Sequence, residues 1–139
     1  MKRILVLGAG ASSPYLISYL LEQAAPHDWF VTVGDYDLQT ATARVQDHPR
    51  GQALQFDVND SELLSSQIEQ SDLVVNMLAP TFQALVAWDC IHHARDMISV
   101  SYRDGRIRDL EHDVLRKGLL ILTEVGLDPG IDHLSLIHI

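Results

Sequence analysis

A short apolar run, Lys2-Arg3-Ile4-Leu5-Val6-Leu7, breaks directly into Gly8-Ala9-Gly10-Ala11-Ser12-Ser13-Pro14, after which apolar residues return at helical spacing. A strand that turns through Gly-x-Gly into a helix N-terminus presents free amides to an anion, and the pattern predicts a turn that holds a pyrophosphate. Gly8 supplies the tight turn out of the strand. Gly10, lacking a Cβ, lets the backbone approach the phosphates, with Ala9, Ala11 and Ser12 completing the cradle. Ser13 stands where a third glycine is usual, a position that asks only for a small residue allowing helix to pack closely on strand. Pro14 suits a first helical turn, and Leu16, Ile17, Leu20, Leu21 and Ala24 continue the helix.

After Pro26 comes a second β-type run, Trp29-Phe30-Val31-Thr32-Val33, closed by Gly34 and Asp35. Asp35 thus falls at the end of the second strand, about 20 residues beyond the glycine turn, where a carboxylate accepts hydrogen bonds from the adenosine ribose hydroxyls. A 2′-phosphate there would meet like charge, and no compensating arginine is evident nearby. The expected cofactor is NAD, with NADP the alternative. Asp37 is read as the N-cap of a helix starting near Leu38.

Strands and helices keep alternating, with no internal repeat and no proline-rich linker. Ala53–Phe56 reads as a third strand, and Asp57 with the pattern Asn59-x-x-Glu62 opens a helix through Leu63, Leu64 and Ile68. Asp57 has two readings of equal standing, a contact on the adenine side or a helix-start turn. Leu73–Leu78 is a fourth strand, apolar almost throughout, as a sheet buried on both faces requires. Asn76, Ala79 and Pro80 at its carboxyl end are read as cofactor-binding, Asn76 because a polar side chain ending a buried strand needs a partner. A helix from about Thr81 to His93 leads to a fifth strand, Met97–Ser101, ending at Tyr102. Ile107, Leu110 and Val114 mark another helix, which Gly118 terminates before a sixth strand, Leu119–Leu122. The fold class is α/β, a Rossmann-type doubly wound parallel sheet of order 3-2-1-4-5-6, with ligands bound across the carboxyl ends of its strands.

Composition narrows the partners. The 139 residues carry 19 acidic against 10 basic side chains, a formal charge of -9. That balance excludes a phosphate-tracking nucleic-acid surface and an anionic membrane as partners, leaving a small molecule. No apolar run approaches the roughly 18 residues of a membrane helix. The single cysteine, Cys90, reads as a small core residue in a reducing cytoplasm. His92 and His93 are adjacent on a helix without further ligands at metal spacing, so no metal is expected.

The most selective segment is Gly126-Leu127-Asp128-Pro129-Gly130-Ile131-Asp132-His133. Together with Gly8-Ala9-Gly10, Ser71-Asp72-Leu73-Val74-Val75 and Ser99-Val100-Ser101-Tyr102, it resembles the saccharopine dehydrogenase family, glutamate-forming branch (saccharopine reductase), collinearly along essentially the whole chain. The resemblance implies an oxidoreductase that passes hydride between a nicotinamide and saccharopine, releasing glutamate and 2-aminoadipate 6-semialdehyde. It implies Tyr102 and Asp128 as catalytic candidates lining the substrate site, with His133 ranked below them. Residues 1–130 would then form the dinucleotide-binding domain, and 131–139 the truncated start of a substrate and dimerisation domain. The full-length protein would be a homodimer acting on an amino-acid substrate, and the chain alone would bind cofactor without turnover. Arg103-Asp104-Gly105-Arg106 departs from the small or proline-containing helix opening usual in the family, and Arg103, Arg106 and Arg108 are read as a solvated face. Two other functions share the glycine turn and Asp35: a non-catalytic NAD-sensing domain, and a polyamine enzyme forming carboxynorspermidine or homospermidine.

Overall fold

Alternate residues of the first strand, β1 (Lys2–Leu7), face opposite apolar layers: Ile4 and Val6 join one cluster, Leu5 and Leu7 the other. A strand buried on both sides requires helices on both sides. The computed structural model describes residues 1–10, 13–99 and 111–122. Within them, α1 (Pro14–His27) and α2 (Leu38–Val45) cover the Ile4 face through Ile17, Leu20, Leu21, Ala24, Ala41 and Val45. The Leu5 face is covered by α3 (Ser61–Glu69) and α4 (Gln83–His92), through Leu64, Ile68, Val86, Ala87 and Cys90.

Five further strands complete the sheet: β2 (Trp29–Asp35), β3 (Gly51–Gln55), β4 (Leu73–Asn76), β5 (Asp96–Ser99) and β6 (Ile121–Leu122). All pairs are parallel, in the order β3-β2-β1-β4-β5-β6 expected from sequence. Leu7 is in register with both Gly34 and Asn76, so the carboxyl ends of β2, β1 and β4 lie level where the strand order reverses. That edge is the ligand crevice of such a sheet.

Boundaries moved for local reasons. Pro26 lies inside the last turn of α1, where its missing N–H forfeits a single terminal bond, and the helix stops at Asp28, whose φ is 57°. The cap of α3 is Asp60, not Asn59: its Oδ1 accepts from the Leu63 amide at 3.1 Å, while the Asn59 amide donates to Asp57 Oδ1 at 2.9 Å. Replacing Asp60 by alanine should cost about 1 kcal/mol, read as a lower urea midpoint with unchanged slope. β4 ends at Asn76 because the Asn76 Oδ1 accepts the Leu78 amide at 3.1 Å and turns the chain. A 3₁₀ turn, Pro80–Phe82, precedes α4. The last described helix, α5, covers Glu111–Lys117. Gly118, at φ 67°, ends it, and the Leu119 amide donates back to Val114, which delays β6 to Ile121.

Cys90 is fully buried, and burial, followed by the carboxylates of Asp89 and Asp96, pushes its thiol far above the ordinary range. His93 Nε2 stands 2.7 Å from Ser65 Oγ, tying α4 to α3, while His92 is exposed. No described helix is long and apolar enough to cross a membrane.

Candidate nucleotide-binding site

The turn out of β1 is fixed by what glycine alone permits. Gly8 has φ 98°, and a Cβ on it would lie 3.0 Å from the Met77 carbonyl oxygen and 3.1 Å from the carbonyl carbon. Its amide donates to the Gly34 carbonyl at 2.8 Å, fastening the turn to the end of β2. At Gly10 the case is the reverse, since a Cβ would meet nothing within 4 Å. The space beside that backbone is open, as the approach of a phosphate requires. Ser13 is buried and closes the turn, its Oγ and its amide both donating to the Gly10 carbonyl, at 2.8 and 3.1 Å. Ala11 and Ser12 lie outside the described residues.

Asp35 stands against this turn. Its Oδ2 accepts from the Ala9 amide at 2.7 Å and its Oδ1 from the Asp37 amide at 2.8 Å. Each oxygen keeps a lone pair for a further donor, so the carboxylate is both anchored and available. Asp37 serves as expected, capping α2 through the Gln39 amide at 3.0 Å. Asp57 is exposed beyond β3, and its described contacts are those of the turn before α3.

The arginine that the sequence did not reveal is Arg44. From α2 its Nε donates to the Ala9 carbonyl at 3.2 Å and its Nη2 to the Gly10 carbonyl at 3.4 Å. The expectation that no cation lies near Asp35 is therefore corrected: nine residues separate the two in sequence, but both close on Ala9. Its position three residues after the buried Ala41 and next to the buried Val45, at the border of the inner face of α2, was the available signal.

Across the crevice, Asn76 is fully buried, and its Nδ2 has no hydrogen-bond partner among the described residues. An amide in that condition calls for a ligand acceptor. The neighbouring strand end holds Ser99, also buried, whose Oγ accepts from Gln83 Nε2 at 3.0 Å. Sequence reading missed Gln83, whose available signal was its place as a polar residue in the buried series Gln83, Val86, Ala87, Cys90, Ile91. Ala79 is exposed just beyond, and Pro80 opens the 3₁₀ turn. Tyr102, Asp128 and His133 lie outside the described residues. Among those described, no three His, Cys, Asp or Glu side chains gather as a metal site would need.

A glycine cradle with open space at Gly10, an anchored carboxylate at Asp35 and an unsatisfied amide at Asn76 together fit a dinucleotide. Comparison with known proteins agrees. The family profile described as "Saccharopine dehydrogenase NADP binding domain" matches residues 4–122. The chain is 34% identical over 134 residues to a Saccharomyces cerevisiae saccharopine dehydrogenase named as NADP(+), L-glutamate-forming, covering 96% of this chain and 29% of that protein. It is 33% identical over 134 residues to the mitochondrial alpha-aminoadipic semialdehyde synthase of Bos taurus, covering 96% of this chain and 14% of that protein. The solved structure of apo saccharopine dehydrogenase (L-Glu forming) from Saccharomyces cerevisiae superposes with a TM-score of 0.86 at 31% identity, over 99% of this chain and 30% of that one. The chain thus spans under a third of the length of these relatives. With the match running from the first strand through the last described one, the chain belongs to the saccharopine dehydrogenase family.

Proposed function

We propose that the protein is a nicotinamide-dependent oxidoreductase that oxidises saccharopine to glutamate and 2-aminoadipate 6-semialdehyde, with this chain as its dinucleotide-binding part. The observation that carries the reading is the 2.7 Å bond from the Ala9 amide to Asp35, which brings the carboxylate ending β2 onto the glycine turn. The turn of residues 8–13 takes the pyrophosphate on the side left open at Gly10, Asp35 takes the adenosine ribose, and Asp57 the adenine side. Asn76, Ala79 and Pro80, at and just beyond the end of β4, serve the nicotinamide side.

A nicotinamide held by these residues would supply the hydride acceptor for the carbon next to the secondary amine, leaving an imine for water to cleave. By the family resemblance, Tyr102 and Asp128 serve the substrate, keeping the amine neutral and moving protons to and from the attacking water. Residues 131–139 begin the substrate domain, which completes the site and pairs two copies as a homodimer. A reducing cytoplasm suits an acidic chain whose one cysteine is buried.

NAD is the preferred cofactor in this reading. The profile and the yeast relative carry NADP in their names, but here the residue ending β2 is Asp35, and an aspartate at that position disfavours a 2′-phosphate.

Full-length protein supplied with saccharopine and NAD should form reduced nicotinamide, detected by absorbance, together with glutamate. Asp35→Ala should weaken NAD binding by about tenfold or more, the loss of a hydrogen bond to a charged group. Binding heat without turnover would point instead to a non-catalytic sensor. No heat with NAD or NADP would end the dinucleotide reading.

A further inference from the structure

The Ala9 backbone is held at its N–H and at its C=O by side chains of opposite charge. Its N–H donates to Asp35 at 2.7 Å and its C=O accepts from Arg44 at 3.2 Å, yet no ion pair joins the two side chains. Since the carboxylate marks the ribose 2′ position, a guanidinium bonded to the same turn residue brings positive charge to that end of the site. Resting on the dinucleotide reading above, we propose that Arg44 is a specificity residue that receives a ribose 2′-phosphate, so that cofactor choice is a contest between Arg44 and Asp35.

Three features support a reader over a mere brace. Arg44 is half-buried and forms no ion pair with any described residue, so its guanidinium is not committed to a protein carboxylate. Its two bonds run to neutral carbonyls at 3.2 and 3.4 Å, long for N–H···O, and a phosphate would replace them with shorter, charge-assisted ones in a bidentate fork. The Arg44 side chain has room to move, because it borders a cavity of about 630 Å³ between α1 and α2, lined also by Tyr15, Ser18, Glu22 and His48. Glu22 is the acidic group on that wall, and it makes no ion pair with Arg44. An Asp35 chain would ordinarily reject NADP; with Arg44 beside it, this one admits NADP as the weaker cofactor and is a single substitution from preferring it.

Titrations of full-length protein with NAD and NADP test this in the wild type, Arg44→Gln, Asp35→Ser and the double variant. Arg44→Gln should lower the NADP-to-NAD affinity ratio by about tenfold or more, and Asp35→Ser should raise it by a similar factor. The double variant should lose most of that gain. Adenosine 2′,5′-bisphosphate, compared with adenosine 5′-monophosphate, isolates the contact: Arg44→Gln should weaken the bisphosphate selectively. If the variant weakens both dinucleotides by one factor, or leaves the ratio unchanged, Arg44 only braces the turn and the proposal is overturned while the dinucleotide site stands. If the wild type binds neither dinucleotide, the underlying reading fails as well.

Discussion

Gly8→Val should abolish dinucleotide binding and lower the stability of the domain by about 3 kcal/mol or more. Two costs combine at that position. Valine at φ 98° is a steric outlier, and its Cβ would stand 3.0 Å from the Met77 carbonyl oxygen, a backbone atom that cannot rotate aside. Relief requires separating the β1 turn from the chain leaving β4, which opens the crevice at the point where strand order reverses. Gly10→Ala is the informative contrast. Its Cβ meets nothing within 4 Å, so stability should stay within about 0.5 kcal/mol of wild type while the methyl group intrudes on the phosphate path. Urea denaturation and calorimetric titration with NAD separate the two effects. If Gly10→Ala destabilises as much as Gly8→Val, or binds NAD undiminished, the division of labour between the two glycines is wrong.

Phe56→Ala should cost about 3–5 kcal/mol, a large share of the roughly 5–15 kcal/mol that holds a domain of this kind together. Phe56 is only 2% exposed and belongs to the apolar cluster with Leu5, Leu7, Leu64 and Val74. It also sits over the end of β2: its Cβ would lie 3.2 Å from a Cβ placed on Gly34, and its amide donates to the Asp35 carbonyl at 2.8 Å. The cavity left by truncation therefore borders the backbone that aims Asp35. NAD affinity should fall further than the loss of folded protein explains, as seen by titrating at a temperature where both forms are fully folded. A loss of stability under about 1 kcal/mol would show that neighbouring side chains collapse into the space.

What could be read from the chain and what could not divide along the range of the interactions involved. The glycine turn, Pro14 at the first turn of α1 and the placement of Asp35 rest on residue spacing, and the sheet order follows from the alternation of elements. All of these appear in the fold. Asn59 was misread as a cap because Asp57, Asn59 and Asp60 are all competent, and only backbone geometry chooses Asp60. The early end of β4 depends on one side-chain bond from Asn76. Arg44 and Gln83 escaped notice because their partners, Ala9 and Ser99, are distant in sequence, and periodicity shows which face a side chain borders without showing what it meets there. Tyr102 and Asp128 rest on family resemblance, since they fall outside the described residues.

Cys90 gives the domain a built-in clock. Its sulfur is sealed beneath α4 and held as the unreactive thiol, so an alkylating reagent can reach it only during excursions in which that helix lifts from the sheet. The labelling rate therefore times the breathing of the Leu5 layer without any introduced probe. Comparing that rate with and without dinucleotide would reveal whether occupying one edge of the sheet quiets the motion of the opposite layer.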